Sequence, residues 1–520
     1  MYRVIVCALV VCGAARAQNL ARFHSTVDQS EQPYTLYVPK TYDSARRYPV
    51  VISLHAEYSS HVTALQMVFG IPPRYGELGM PALANALASR HVDYIVACPF
   101  ARGTMGYQGI AEQDVYDVLD DVKRRYSVDE DRVYLTGASM GGGGVLWLAL
   151  TRPDVWAAAA AVCPDEFPGT AELAANALNL PIRLYHGFLD SVVPAEVSRQ
   201  WQRRLLALDS PVDYIEYPNV AHNSWDSAYA QGGIFEWFGK YRRNPSPDRV
   251  RLAVRESRYN SAYWARVDAF TPGTAALLDA TRSNGAVRVQ TTNVDAFTLS
   301  TSARQVMIDG AALRFRAGTP LSFTRGPRGW TQTATPPGGA YGPIVEAVNQ
   351  RHIYVYSATD PQTRGDAESA AAWSSNRARL NIKLDVKSDL EVTEADVQGA
   401  NLVLFGTPRN NRLMARFAPQ FPLTLDAGAA DYGLLFIIPQ GSHYVLVSSG
   451  LPWWTGADEA DRGGYHYAPP TYRLLSTFKD YVLFKGSVGT VLAEGYFDRT
   501  GRVTGESAAK LREAGVVSTR

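Results

Sequence analysis

Two glycines flank a serine in the run Gly137-Ala138-Ser139-Met140-Gly141, with a β-rich stretch, 132–136, before it and a helix-like stretch from Val145 after it. Such spacing predicts a sharp strand-to-helix turn with the serine at its apex, because that turn has no room for side chains two positions to either side. A chain with this feature has to present the serine at the carboxyl end of a strand in a sheet flanked by helices. That points to a doubly wound α/β layer.

Two later residues give the serine a chemistry. Asp190 follows the apolar run 182–185 in a turn made by Gly187, and His222 lies in a loop after the strand-like run 212–217. A serine hydroxyl is a poor nucleophile until a neutral imidazole accepts its proton, and the imidazole needs a carboxylate to fix its tautomer and stabilise its cation. These types in the order Ser, Asp, His assign Ser139 as nucleophile, His222 as base and Asp190 as the acid that orients it. Activity would then rise with pH as His222 loses its proton, ordinarily near ~6.5 for an imidazole. The competing reading is a Gly-rich turn, a helix cap ahead of Pro194 and a loop histidine; each is easy alone and all three together are not. Preplaced N–H donors for the oxyanion should come from Met140 and from the loop after 50–54, His55-Ala56-Glu57-Tyr58, with Glu57 preferred and Ala56 the competitor. The Glu57 side chain should face solvent or a basic partner, or else bind a cationic or hydroxylated part of a substrate.

Over about residues 34–241 the chain resembles secreted α/β-hydrolases of the polyhydroxybutyrate-depolymerase-like and feruloyl-esterase-like carboxylesterase group, and more distantly the catalytic domain of prolyl-oligopeptidase-type peptidases. The resemblance rests on 34–39 (Tyr-Thr-Leu-Tyr-Val-Pro), Leu54-His55, the 114–126 helix with 128–134 after it, 137–144, His186-Gly187 with Asp190, and His222 with Trp225. It implies hydrolysis of an ester, less often an amide, through an acyl-enzyme. Relatives commonly carry glycine where this chain has Ala56. Peptidases of the prolyl-oligopeptidase type usually place a propeller before the catalytic domain, whereas here the catalytic part comes first and no blade repeats follow. A binding protein built on an inactive hydrolase scaffold is the remaining alternative, and an intact Ser-Asp-His set argues against it.

At 520 residues with 46% hydrophobic and 19% charged content, two or three globular domains are expected. The start reads as a cleavable secretory signal, 1–17, with Arg3, an apolar run 4–11 and Ala15-Arg16-Ala17. Secretion or periplasmic export follows. Losing Arg3 and Arg16 from 51 basic residues against 50 acidic ones changes the net charge from +1 to −1, which favours neither nucleic acid nor an anionic membrane. No later run is long and apolar enough for a membrane span. Cys98 and Cys163 remain after cleavage. In the strand order implied by the resemblance they end strands with two others between, roughly 14 Å apart at ~4.8 Å per strand. A disulfide needs about 7 Å or less, so free buried thiols are expected.

Strands are predicted at 50–54, 94–98, 133–136, 157–163, 182–185 and 212–217, and a helix at 110–126 whose Asp114, Asp117, Asp120 and Asp121 form a solvated acidic face instead of a metal site. Loops at the strand ends supply candidate substrate contacts: His55, Tyr58, Arg102, Tyr107, Glu166, Phe167 and Trp225, with Arg102 suited to a carboxylate or hydroxyls. Trp225 is either a wall of the cleft or a support for the His222 loop. The resulting division is a hydrolase domain at 18–244, a β-sandwich-like domain at 250–335 and a small α/β domain with a parallel sheet at 342–520. Within the last, 406–411 reads as a simple turn and not as an anion loop. The expected partner is an ester substrate, possibly polymer-linked. No cofactor or metal is implied, and oligomeric state is left open.

Overall fold

The computed structural model describes residues 20–73, 77–88, 90–318, 320–336, 342–372, 382–457, 467 and 470–520. The signal segment expected at 1–17 lies outside these.

The first sheet has eight strands: β1 (Leu20–His24), β2 (Glu31–Tyr37), β3 (Tyr48–Leu54), β4 (Ile95–Pro99), β5 (Val128–Ala138), β6 (Ala158–Val162), β7 (Ile182–Gly187) and β8 (Val212–Tyr217). Their spatial order is β1-β2-β4-β3-β5-β6-β7-β8, antiparallel up to β4 and parallel from there on. All of β3, β4 and β6 is buried, because helices cover both faces and each strand must be apolar on both sides. Along β3, Val50, Ile52 and Leu54 enter one core with helices Ile110–Arg125 and Met140–Thr151, while Val51 enters the other with helices His61–Val68 and Gly233–Phe238. Period-two alternation divides one strand between two cores. Strands β3 and β5 separate β4 from β6, and Cys98 and Cys163 are free and buried, as the spacing argument requires.

The acidic face of helix Ile110–Arg125 does not meet solvent. Asp114, Asp117 and Asp121 are buried beneath the β1–β2 hairpin, which the apolar pattern did not reveal, and they accept hydrogen bonds from Ser25 Oγ, the Thr26 amide and Tyr34 Oη at 2.7–2.8 Å. The carboxylates satisfy the polar edge of the hairpin. Asp120 alone of the four is exposed.

Further along, two five-stranded sheets made from Arg249–Val254 through Gly329–Gln332 enclose one apolar core, the packing of a β-sandwich. The main C-terminal sheet has seven strands and is mixed, correcting the expectation of a small parallel one, and Leu423–Leu425 pairs separately with Val517–Thr519. Asp385–Ser388, His352–Tyr356, Asn401–Phe405 and His443–Gly450 run parallel, but Tyr432–Gln440 pairs antiparallel with His443–Gly450 as a hairpin turning at Gly441. Two residues separate those strands, too few for a crossover. The 406–411 segment is a turn: Asn410 Oδ1 accepts the Thr407 amide, and Asn411 caps helix Arg412–Phe417.

Candidate active site

Ser139 stands between β5 and helix Met140–Thr151 with φ 56° and ψ −119°, a backbone conformation that β-carbon-bearing residues avoid. Neighbours hold it there. Its amide donates to Val162 O at 2.9 Å, and its carbonyl accepts from the Gly143 and Asp165 amides at 3.0 and 3.3 Å. Both flanking glycines are sterically required, since a β-carbon at Gly137 would lie 2.6 Å from Gly141 O and one at Gly141 would lie 2.5 Å from Leu54 O. Strain of this kind costs about 1–3 kcal/mol and persists only where the surroundings over-determine it.

The serine, histidine and aspartate meet. His222 Nε2 is 3.0 Å from Ser139 Oγ, and His222 Nδ1 is 2.7 Å from Asp190 Oδ2. A carboxylate only accepts, so Nδ1 carries the hydrogen and Nε2 offers its lone pair to the serine O–H. Asp190 Oδ1 accepts the Val192 and Val193 amides, each at 2.9 Å, in the turn that follows β7. The Asp190 side chain is fully buried, Ser139 is 7% exposed and the His222 side chain 21%, so the chain of groups opens to solvent at the histidine and serine end.

A cavity of about 870 Å³ lies beside it, lined by Ala56, Glu57, Tyr58, Met67, Phe100 and Trp225 among others. Trp225 lines this cavity and packs edge-on to the His222 ring at 5.4 Å between centroids. Tyr58 is 70% exposed at the rim. Met140 begins a helix whose first-turn N–H groups have no partner within the helix, leaving its amide available beside the serine. Glu57 is half-buried on the cavity wall, and the charge it sets near Tyr467 helps to raise that phenol's pKa, after burial and Asp165.

Four expected substrate contacts are structural. Arg102 is fully buried, with Nε 2.5 Å from Asp114 Oδ2 and Nη1 2.7 Å from Asp28 Oδ2, so its charge is consumed in pinning the loop after β1 to a helix. His55 is fully buried, with Nδ1 2.8 Å from Ala56 O and Nε2 2.9 Å from Phe100 O, and burial holds it below the usual imidazole range. Tyr107 is buried, donating to His55 O at 3.0 Å and filling the space that Gly144 leaves open. Phe167 is buried against Gly143 and Tyr467. In each case an aromatic or cationic side chain that reads as cleft lining supports the loop from beneath. Glu166 is exposed, and its carboxylate turns toward Arg204 at 3.9 Å.

Sequence reasoning missed Tyr467, whose Oη donates at 2.7 Å to Asp165 Oδ2 on the loop that also binds the Ser139 carbonyl. No local signal could find a partner 302 residues away. It also missed His61, a half-buried ring on the cavity wall that burial pushes down to about 4.

Residues 25–210 match the family model described as Putative esterase. This part of the chain resembles the esterases. The matched stretch contains Ser139 and Asp190 and stops before His222. Among solved structures, a thermostable esterase is similar at 25% identity and TM-score 0.35, over 44% of this chain and 64% of its own. The chain therefore spans less than two thirds of that esterase. A ferulic acid esterase is similar at 16% identity and TM-score 0.35, over 42% of this chain and 96% of its own. A CE1 ferulic acid esterase from Anaeromyces mucronatus, solved with ferulic acid, is similar at 18% identity and TM-score 0.33, over 42% and 88%. No curated protein matches the chain.

Proposed function

We propose that the protein is an exported serine carboxylesterase that works through an acyl-enzyme on Ser139. The observation that carries this reading is the hydrogen-bonded series from Ser139 Oγ through His222 to Asp190, with distances of 3.0 and 2.7 Å, at a strained strand-to-helix turn. In this reading neutral His222 takes the serine proton as Oγ attacks the ester carbonyl. The Met140 amide, with that of Glu57 or its competitor Ala56, receives the negative charge on the carbonyl oxygen. The protonated imidazole, stabilised by Asp190, then passes its proton to the departing alcohol. Water, deprotonated by the same imidazole, releases the acid and restores the serine.

The aromatic cavity wall, with Trp225, Phe100 and Tyr58, favours a hydroxycinnamoyl or similar aromatic acyl group, presented on a plant or microbial polymer. Export is inferred from the composition of residues 1–17. The test is a panel of hydroxycinnamoyl sugar esters, acetylated glycans, polyhydroxyalkanoate and peptide anilides, with Ser139→Ala as control. Preferred turnover of the hydroxycinnamoyl esters, lost in Ser139→Ala, supports the reading. Turnover of anilides alone moves the protein to the peptidases, and no turnover favours a binding role.

A further inference from the structure

A second histidine touches the acid of the series. His186, at the end of β7, is fully buried, and its Nε2 lies 2.9 Å from Val193 O and 3.3 Å from Asp190 Oδ2. Its Nδ1 lies 2.7 Å from Ser198 Oγ, on helix Glu196–Leu206. Both oxygens facing Nε2 are acceptors, so Nε2 carries the hydrogen and Nδ1 accepts from the Ser198 hydroxyl. One tautomer satisfies every contact.

We propose that His186 is a positioning residue for Asp190: its Nε2–H, donated to Val193 O, pins the turn whose Val192 and Val193 amides hold Oδ1, and its ring edge lies 3.3 Å from Oδ2, so that Oδ2 meets His222 Nδ1. Asp190 accepts the Val192 and Val193 amides on Oδ1 and His222 Nδ1–H on Oδ2, while His186 holds Val193 by its carbonyl and stands beside Oδ2. The Asp190 side chain has no solvent exposure, so water cannot replace a missing donor. Burial holds His186 below the usual imidazole range, which keeps it neutral at working pH. A neutral ring beside the carboxylate does not cancel its charge, and that charge stays available to a protonated His222. The other charged group facing His186 is Glu216, engaged by Arg199 at 2.9 Å through both oxygens. The Ser198 hydroxyl sets the tautomer from the opposite side, so β7 and the following helix together orient the acid.

This inference rests on the serine-hydrolase reading for its kinetic readout and on hydrogen-bond order for an independent one. His186→Leu removes the donor and keeps an apolar filling; His186→Gln keeps an N–H near the Nε2 position. In the full chain, with folding checked by thermal melting, His186→Leu is expected to lower kcat about tenfold to hundredfold with KM little changed, because the buried Val193 carbonyl loses its donor and the turn that holds Asp190 loosens. His186→Gln should recover most of that loss, and Ser198→Ala should show a smaller one. Separately, the His222 Nδ1 proton shared with Asp190 should give a downfield NMR signal that survives in His186→Gln and broadens or vanishes in His186→Leu. If Leu and Gln variants are equally impaired with the signal intact in both, or if His186→Leu keeps full kcat and the signal, the positioning role is overturned. Should the wild type turn over no ester, the hydrolase reading fails while the NMR comparison still decides the role of His186.

Discussion

Gly141 lies directly against the end of β3, where a β-carbon on it would stand 2.5 Å from the carbonyl oxygen of Leu54 and 2.7 Å from that of His55. Both atoms are backbone in a buried strand end, so neither can yield as a side chain would. Gly141→Ala should therefore displace the turn that carries Ser139 relative to His222. The expected outcome is a melting temperature lowered by the equivalent of about 1–3 kcal/mol, as for an overpacked core, together with loss of esterase turnover. Thermal melts and a p-nitrophenyl ester assay check both; a stable, fully active variant would show that the close approach is not required.

Arg102 reads as a substrate contact and is in fact a buried clamp between Asp28 and Asp114. Arg102→Met leaves two carboxylates without their partner, and breaking a buried pair this way costs about 3–5 kcal/mol. Burial, with the Asp117 charge adding to it, already pushes Asp114 up to about 6 despite the arginine beside it. Urea denaturation should show the loss, while the folded fraction keeps its KM. A large rise in KM at unchanged stability would return Arg102 to the substrate site.

Asp480, buried on the C-terminal side of the molecule, is pushed up to about 7 by burial, against the opposing pull of the Phe497 amide. Its folded value lies above the ordinary 3.8. The sign follows: the contribution is fully present below about pH 4 and is lost as pH rises through about 7, because the buried carboxyl must then ionise. Asp480→Asn, which keeps an acceptor for the Phe497 amide, should match the wild type at pH 4 and exceed it in melting temperature at pH 8. Equal melting temperatures at pH 8 would contradict this.

Trp225 both lines the cavity and abuts the His222 ring. Trp225→Ala should lower kcat/KM roughly tenfold for an aromatic acyl ester, through lost apolar contact, and less for an acetyl ester. Steady-state kinetics on the two esters measure the difference. Equal losses would assign Trp225 to support of the His222 loop alone.

The parallel half of the first sheet and the Ser-Asp-His series were legible because both have local signatures: apolar runs such as 50–54 and 182–185 end in the loops that carry the chemistry. The β1–β2 hairpin was not, because polar residues such as Gln32 and Thr35 interrupt its apolar pattern and are buried against partners that sequence cannot name, Ser30 and the His61 carbonyl among them. That also explains the misread acidic face, since Asp114 and Asp117 look solvated until Ser25 and Thr26 are placed on them. Residue type likewise did not separate cleft lining from loop support. Tyr58 and Tyr107 are both aromatic residues on strand-end loops, yet one is at the rim and the other is sealed beneath Gly144. The mixed last sheet was missed because fully buried strands such as 434–438 carry no mark of direction.

The central claim is that Ser139 is activated by His222 for covalent attack. Its most direct measurement is peptide mass mapping after treatment with a fluorophosphonate. The account predicts a single adduct on Ser139, absent in Ser139→Ala and formed far more slowly in His222→Ala. No adduct, or one on another residue at equal rate in Ser139→Ala, would contradict it.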